Sequence, residues 1–278
     1  MAHDILRRLV ANSMAALDDG VYDVDAYSSA AGSLSRSGYS LAGRIRTAPH
    51  AAVISEIKFS SPSEGRLRTV SNPATIAAAM VRGGAVGLSV LTQPYLFGGS
   101  PEYFAKVRQA VDVPMLMKDI IVDRRQIDAA SRIGADYILL IQSVFGSGAC
   151  TGQTADGLAE YARRQGLGVL LEVHTAQEYE EAAASKADII GINNRNLDTL
   201  AVSTDVTRDI LQSARRGAGD GGGDGDGDGR VTISESGIAS ADDIRRVRGH
   251  GADGFLVGSS IMKSHNIEEA VRGMVNAY

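Results

Sequence analysis

The sequence is poor in residues that cross-link or stiffen a chain: it has one cysteine, no tryptophan and six prolines among 278 residues. Cys150 has no second thiol to pair with, so no disulfide can form within the chain. The first residues also lack the apolar segment and the small-residue cleavage site of a secretory signal. We therefore expect a cytoplasmic protein.

Clustered positive charge and long apolar runs are lacking as well. The formal net charge is −5, and the lysines and arginines form no cluster, which argues against general nucleic-acid binding. The longest apolar runs have the length of a β-strand and fall well short of the roughly 20 residues that cross a bilayer. The composition thus predicts a globular protein that binds neither nucleic acid nor membrane, and any anionic ligand must be held by a local site.

Short apolar runs, each followed by a helical stretch, fill the chain after about residue 50. The runs comprise residues 51–57, 86–91, 114–119, 136–141, 168–173, 187–193, 230–236 and 253–258. Nearly continuous apolar strands at this spacing predict a parallel sheet covered by helices, and eight such units are the repeat count of a closed barrel. We therefore expect an α/β protein with a single domain over residues 1–278, a (β/α)8 TIM barrel. A doubly wound sheet is the alternative, but no G-x-G-x-x-G follows the first strand.

Two segments are expected to lie outside the repeat. Residues 1–46 show helical spacing from Ile5 onward, interrupted at Asp19 and Gly20, and predict an N-terminal helical extension that covers the mouth of the barrel. The Gly/Asp-rich tract 217–229 joins a helix to the next strand. We expect it to be a flexible insertion on the N-terminal face of the barrel.

The same tract formally matches a calcium-loop pattern that ends on a glutamate, here Glu235. The residues between its aspartates and Glu235 form a predicted strand, which at about 3.3 Å per residue separates them by roughly 16 Å. Because groups so far apart cannot share an ion, we expect no calcium site.

Polar side chains follow most of the predicted strands at their carboxyl ends. They are Glu56, Lys58, Lys118, Glu172, Asn193, Arg195 and Glu235. In a (β/α)8 barrel these positions converge on one rim, where ligands bind. Lysines and glutamates in a partly enclosed mouth perturb one another's pKa values, as proton-transfer chemistry near neutral pH requires. The alternative is that they are solvated loop charges or rim ions paired only with each other.

Small residues follow the last two strands, where barrels of this kind hold phosphate. They are Ser236 and Gly237 after the seventh strand, and Gly258, Ser259 and Ser260 after the eighth. Glycine lets the backbone N–H groups approach a dianion closely, so phosphate can bind without a lysine cluster. Ser61, in the loop after the first strand, is a further candidate donor. The alternative is that these residues form plain turns that cap helices.

Seven segments, taken in order, resemble the motifs of the indole-3-glycerol phosphate synthase family. They are EIKFSSPSEG (56–65), VLTQPYLFGGS (90–100), LMKDIIV (116–122), LLEVH (170–174), GINNRNLDT (191–199), SESGI (234–238) and FLVGSSIM (255–262). The resemblance implies an enzyme of tryptophan biosynthesis that acts on 1-(2-carboxyphenylamino)-1-deoxyribulose 5-phosphate. The family joins an aromatic ring carbon to the sugar ketone and then releases CO2 and water, which gives indole-3-glycerol phosphate. No cofactor, metal or obligatory protein partner is implied.

The resemblance also assigns the catalytic residues. Lys118 is expected to be the general acid of ring closure, and Glu172 to handle protons during dehydration. Glu56 is expected to orient these charges. Lys58 resembles the family lysine that contacts the substrate carboxylate, and the step that each lysine serves stays open.

Substrate-binding roles follow in the same way. Asn193 and Arg195 are expected to position the anthranilate half, and Glu235 to hold the nearby lysines or a substrate hydroxyl. Phe97 is expected either to cover the aromatic ring or to anchor its loop in the core. His174, two residues after Glu172, is interpreted as a loop or capping residue, with a catalytic role as the alternative.

Two other functions remain to be weighed. Phosphoribosylanthranilate isomerase is a related barrel, but it uses a cysteine and aspartate pair, and Cys150 follows the fourth strand, which does not suit that role. A barrel that only binds phosphosugars or a partner protein is the other alternative. The acid and base groups at one mouth argue against it, because a binding module has no need of them.

Overall fold

A parallel β-barrel stands at the centre of the computed structural model, which describes residues 2–26, 34–217 and 230–278. Within these ranges, eight strands close in the order β1-β8-β7-β6-β5-β4-β3-β2, and every neighbouring pair is parallel. The strands are β1 Ala52–Ile57, β2 Gly87–Leu91, β3 Met115–Lys118, β4 Tyr137–Ile141, β5 Gly168–Val173, β6 Ile189–Asn193, β7 Val231–Glu235 and β8 Gly254–Val257. The predicted (β/α)8 barrel is confirmed. Several predicted runs extend one or two residues beyond the strand at one or both ends.

One main helix follows each strand and packs on the outside of the barrel. These helices are α3 Pro73–Arg82, α5 Pro101–Arg108, α6 Arg124–Arg132, α8 Ala155–Arg164, α9 Ala176–Ala184, α10 Asp205–Gly217, α11 Ala241–His250 and α13 Ile267–Val275. Most of them begin after a serine, threonine, aspartate or asparagine whose side chain accepts a free N–H of the first turn. The polar residue between strand and helix thus fixes where each helix starts.

Shorter elements complete the chain before and between these units. They are α1 Ala2–Asp18, a 3-10 turn at Val24–Ala26, α2 Leu41–Arg46, α4 Pro94–Phe97, α7 Gln142–Gly146, α12 Ser259–Lys263 and a hairpin of Ser60–Ser61 with Gly65–Arg66. Helices α4, α7 and α12 directly follow β2, β4 and β8, so they lie at the carboxyl ends of the strands. None of the helices in the described ranges combines the length and apolar character needed to cross a bilayer.

The N-terminal extension is helical only in part. Helix α1 ends at Asp18, and Gly20 has a φ of +73°, as the predicted break requires. The predicted helical extension is confirmed by α1, whereas residues 34–40, within its predicted bounds, form no helix. The N–H of Leu34 donates to the carbonyl of Arg132, and Ser37 donates from backbone and side chain to Asp136. These tertiary partners replace the hydrogen bonds that a helix would supply.

The interior of the barrel is layered, because every second residue of a strand points inward. In β1 the inward series runs from Ala52 and Ile54, in the apolar cluster, to Glu56 at the upper end. Helix α2 closes the lower end: the buried Leu41 and Ile45 belong to the same cluster. Apolar side chains therefore fill the lower barrel, and polar groups are confined to the top.

The predicted insertion 217–229 lies outside the described residues except for Gly217, the last residue of α10. At the other end of the tract, the Arg230 guanidinium donates to the carbonyls of Ala182 and Ser185, where α9 ends. Helix C-termini and strand N-termini share the lower face of a (β/α)8 barrel. Both flanks of the tract are therefore at the end opposite the polar rim.

Candidate active site

A cavity of about 440 Å³ opens at the carboxyl ends of the strands. The residues selected from the sequence as site residues line it, except Ser260, whose hydroxyl donates to the carbonyl of Ile238. They are Glu56, Lys58, Ser61, Phe97, Lys118, Glu172, Asn193, Arg195, Glu235, Ser236, Gly237, Gly258 and Ser259. Positions spread over most of the chain thus become neighbours, because each one ends a strand or begins the loop after it.

The Lys118 ammonium lies between two carboxylates. Lys118 Nζ is 3.0 Å from Glu172 Oε2 and also donates to Glu235 Oε2. Both glutamates are almost fully buried, at 3% and 1% exposure respectively. Asn193 Nδ2 donates to the other oxygen of Glu172 at 3.0 Å. Glu235 Oε1, in contrast, is buried and has no hydrogen-bond partner among the described residues.

Burial and mutual charge shift the pKa values of this cluster in different directions. Burial lowers the pKa of Lys118, but Glu235 and Glu172 outweigh it, so the net pKa lies above its usual range. Burial raises the pKa of Glu172, but Lys118 and His174 outweigh it, so its net pKa is lowered. Burial raises the pKa of Glu235 to about 7, against the opposing effect of Lys118. At neutral pH the cluster therefore offers an ammonium donor, an ionised carboxylate and a second carboxylate close to its midpoint.

A second ion pair lies beside the first. Lys58 Nζ is 2.9 Å from Glu56 Oε1, and the hydroxyl of Ser89 donates to Glu56 Oε2 at 3.4 Å. The Lys58 side chain is 15% exposed, so its ammonium reaches the cavity while Glu56 stays buried beneath it. The pair thus presents one cation to a ligand and keeps its counter-charge on the protein side.

Two glycines make the room that these carboxylates occupy. A Cβ added at Gly191 would lie 2.1 Å from Glu235 Oε1, and one at Gly258 would lie 2.7 Å from Glu56 Oε1. Neither contact is sterically possible. Gly191 is therefore required by the carboxylate beside it.

The turns after β7 and β8 meet at one side of the cavity. Ser236 and Gly237 have φ values of +66° and +79°, which form a tight turn whose backbone lies against the cavity. On the other turn, the Ser259 hydroxyl donates to Glu64, a carboxylate of the loop after β1 that also pairs with Lys263. Ser61 lies in the same loop, and its hydroxyl accepts the N–H of Glu64. The two turns and this loop form a compact polar corner.

The opposite side of the cavity is apolar. Phe97 at the end of α4 is half-buried and lines the cavity rather than joining the hydrophobic core. Ile120 lies after β3, and Leu139 and Ile141 point inward from β4. This wall suits a flat aromatic group.

Helix α1 adds residues that the sequence did not single out. Ile5, Arg8 and Leu9 line the cavity, so α1 forms part of its wall. The helical spacing of this segment was visible, but which face meets the barrel depends on its contacts with α4 and α7. Arg8 brings a further cation to the cavity.

Asn193 and Arg195 occupy the rim after β6. The Asn193 amide oxygen accepts the N–H of Arg195 at 3.0 Å, while its NH2 group contacts Glu172. The Arg195 guanidinium donates to the carbonyl of Leu200 at 3.1 Å, which fixes it across its own loop. The guanidinium is thus held at the rim with other N–H groups free to meet a planar anion.

Asp119, directly after Lys118, forms a buried network that sequence reasoning missed. Its Oδ2 accepts from the hydroxyls of Thr92 and Tyr22, the latter at 2.9 Å. Gln126 Nε2 donates to the Tyr22 hydroxyl at 3.3 Å. Burial raises the pKa of Asp119 to about 6. The network ties the N-terminal segment to the strand that carries Lys118.

A lysine between two carboxylates, an apolar wall and a polar corner of glycine turns, all at the mouth of a (β/α)8 barrel, define an acid–base enzyme for a phosphorylated substrate with an apolar part. Cys150 is half-buried and does not line this mouth. Within the described ranges, no group of three or more His, Cys, Asp or Glu side chains is placed to hold a metal ion.

Comparison with known proteins identifies the family. The family model described as indole-3-glycerol phosphate synthase matches residues 6–274. Proteins of that name from Methanopyrus kandleri, Burkholderia lata and Exiguobacterium sibiricum are 38%, 40% and 40% identical to the chain. These matches cover 82%, 82% and 80% of this chain, and 84%, 80% and 81% of the relatives. The chain belongs to the indole-3-glycerol phosphate synthase family, the carboxy-lyases that close the indole ring in tryptophan biosynthesis.

Solved structures with low sequence identity share the fold. Thiamine phosphate pyrophosphorylase from Pyrococcus furiosus aligns with a TM-score of 0.58 at 17% identity, over 86% of this chain and 97% of its own. N-acetylmannosamine-6-phosphate 2-epimerase from Clostridium perfringens aligns with a TM-score of 0.59 at 12% identity, over 80% and 91%. At such identities the likeness concerns the barrel alone.

Proposed function

We propose that Lys118 and Glu172 carry the proton transfers by which this chain converts 1-(2-carboxyphenylamino)-1-deoxyribulose 5-phosphate into indole-3-glycerol phosphate. The observation that carries the proposal is the position of Lys118 Nζ, 3.0 Å from Glu172 Oε2 and in contact with Glu235, beside an apolar wall. An acid and a base within reach of one bound molecule are what ring closure followed by dehydration needs.

Lys118 acts as the general acid of ring closure. When the aromatic carbon bonds to the ketone carbon, the ketone oxygen gains a pair of electrons and needs a proton. The carboxylates of Glu172 and Glu235 keep Lys118 protonated, which supports an ammonium as the donor. CO2 then leaves from the ring carbon that formed the new bond, and the ring electrons are restored.

Glu172 accepts a proton as the new hydroxyl leaves in the form of water. Its lowered pKa supports an ionised base at neutral pH. Lys58 protonates the departing hydroxyl or holds the substrate carboxylate, and Glu56 orients it through their 2.9 Å ion pair. Glu235 holds Lys118 through Oε2, or contacts a substrate hydroxyl from its place in the cavity lining.

The remaining residues position the substrate. The phosphate binds to Ser61, Ser236, Gly237, Gly258 and Ser259, a corner supported by the backbone turns after β7 and β8. Asn193 and Arg195 hold the anthranilate half, and Phe97 covers its ring.

Indole fluorescence after addition of the substrate tests the assignment in wild type, Lys118→Ala and Glu172→Ala. Loss of a positioned acid or base lowers turnover by about 10²–10⁴-fold. Lys106→Ala is the control, because Lys106 is an exposed lysine on α5 paired with Glu102. Normal turnover in Lys118→Ala overturns the assignment, and an inactive wild type favours a barrel that only binds phosphosugars.

We further propose that the enzyme works in the cytoplasm and without an obligatory protein partner. The single cysteine supports a reducing compartment. All the proposed catalytic residues lie in one cavity of one chain, which supports independence from a partner. We expect the purified protein alone to be active. Its turnover per enzyme molecule should not depend on the enzyme concentration.

A further inference from the structure

His174 occupies a position between two carboxylates at the back of the site. It is the first residue after β5 and immediately precedes Thr175, the N-cap of α9. Its Nε2 is 3.4 Å from Glu172 Oε1, and its Nδ1 is 3.7 Å from Glu178 Oε2. The side chain is only 11% exposed and does not line the cavity. The imidazole therefore contacts Glu172 from the protein side.

The surroundings of the ring favour its charged form. Among the described residues, neither ring nitrogen has a hydrogen-bond partner, and each faces a carboxylate. A neutral imidazole turns a lone pair towards one of those carboxylates, whereas an imidazolium presents N–H to both. Burial lowers the pKa of His174, but Glu178, Glu172 and Glu235 outweigh it and raise the net value. Lys118 contacts the other oxygen of Glu172, Oε2.

The backbone fixes the second carboxylate in place. Glu178 Oε2 accepts the N–H of His174 at 2.6 Å, and the Thr175 hydroxyl accepts the N–H of Glu178 at 3.1 Å. These two hydrogen bonds hold Glu178 at the start of α9. Capping by Thr175 and Glu178 leaves the imidazole itself without a capping role.

We propose that His174 is a positioning residue which, as an imidazolium, keeps Glu172 ionised and oriented through Oε1. The proposal rests on the role of Glu172 given above. Before ring closure, Lys118 balances the charge of Glu172 through Oε2. Once Lys118 has given its proton to the ketone oxygen, the amine no longer does so. His174 is then the cation that remains beside Glu172, and it holds the carboxylate ready to accept the proton of the dehydration step.

Three variants separate this role from a structural one. In His174→Gln the charged group that orients Glu172 Oε1 is lost, and kcat falls about tenfold while KM stays within about twofold, as expected of a contact that serves the transition state rather than substrate binding. As the pH rises through the pKa of His174, the wild-type kcat falls to the level of the variant. In Glu178→Gln the amide oxygen still caps α9, but one carboxylate is gone, so this fall moves to lower pH. His50→Gln, an exposed change before β1, leaves kcat unchanged.

An NMR titration of labelled histidine gives a readout that does not depend on turnover. The chain has five histidines, and the signal of His174 is the one missing in His174→Gln. We expect its pKa above the ordinary value in the wild type, and lower in Glu178→Gln. A His174 pKa below the ordinary value, or a His174→Gln variant with wild-type kcat and pH profile, overturns the proposal.

The two proposals fail separately. Normal turnover in Glu172→Ala overturns the role of Glu172 itself. An inactive Glu172→Ala together with a fully active His174→Gln overturns the role of His174 alone.

Discussion

A single methyl group at Gly191 tests whether Glu235 must sit against Lys118. Gly191 lies level with Glu172 in the neighbouring strand, and a Cβ there would be 2.1 Å from Glu235 Oε1 and 2.8 Å from Leu170 Cδ2. Leu170 is fully buried in the barrel core and has no room to shift. Gly191→Ala therefore displaces the Glu235 carboxylate from its present position at Lys118, while every proposed catalytic side chain keeps its identity.

The size of the effect follows from the contact that is lost. A hydrogen bond to a charged group contributes about 1.5–3 kcal/mol, so its loss lowers kcat by about 10- to 100-fold where it serves the transition state. Overpacking the barrel costs a further 1–3 kcal/mol or so of folding stability, which appears as a lower Tm. Indole fluorescence after addition of saturating substrate gives kcat, and thermal unfolding gives Tm.

A control and a double variant make the reasoning refutable. Gly254→Ala adds the same methyl at the lower end of the barrel, 3.1 Å from Ile233 and 3.2 Å from Ile45, and is expected to affect Tm but not kcat. In a Glu235→Ala background, Gly191→Ala is expected to lower kcat no further, because the two changes remove one interaction. Wild-type kcat in Gly191→Ala, or an equal loss with and without Glu235, would refute the steric account.

Three further predictions concern other parts of the chain. Shortening 218–229 leaves kcat unchanged, because the tract is joined to the face opposite the site; a large loss of kcat contradicts that placement. Burial raises the pKa of Asp119 in the folded protein to about 6 from 3.8. The free energy of unfolding therefore falls as the pH rises through this range and the buried carboxyl ionises. Denaturant unfolding should therefore show that the free energy of unfolding of Asp119→Asn, relative to wild type, increases by about 2 kcal/mol between pH 4.5 and 7.5. A difference that stays constant with pH argues against the raised pKa of Asp119. Arg8→Gln raises KM about three- to tenfold at low salt without changing Tm. Arg7→Gln is the control: Arg7 is exposed and does not line the cavity, so its KM should be that of the wild type. Equal effects of the two variants on KM refute a local role of Arg8.

The barrel could be predicted because each of its strands is covered on both faces. Burial on both faces produces a continuous apolar run, such as YILLI at Tyr137–Ile141, and the repetition of such runs indicates the architecture. The polar rim was visible for the same reason: Glu172 and Glu235 interrupt apolar runs at their carboxyl ends, where a core residue is otherwise expected.

What the sequence could not indicate depends on contacts between distant elements. Residues 34–40 are not helical because Arg132 and Asp136, far along the chain, take up the hydrogen bonds of Leu34 and Ser37. Nothing local distinguishes Arg8 from Arg7, since only the docking of α1 decides which of them meets the cavity. The space that Gly191 leaves for Glu235 likewise depends on the register between β6 and β7.

Leu41 and Ile45 of α2, which close the lower end of the barrel, restrict how molecules enter and leave the site. In the described part of the chain the lower end of the barrel is closed, so the substrate, carbon dioxide, water and the indole product all pass through the opening at the carboxyl ends of the strands. A product whose phosphate binds in the proposed corner occupies the cavity until it dissociates. The product must therefore dissociate before the next substrate binds, and Ile5 and Leu9 of α1 line the cavity through which both pass.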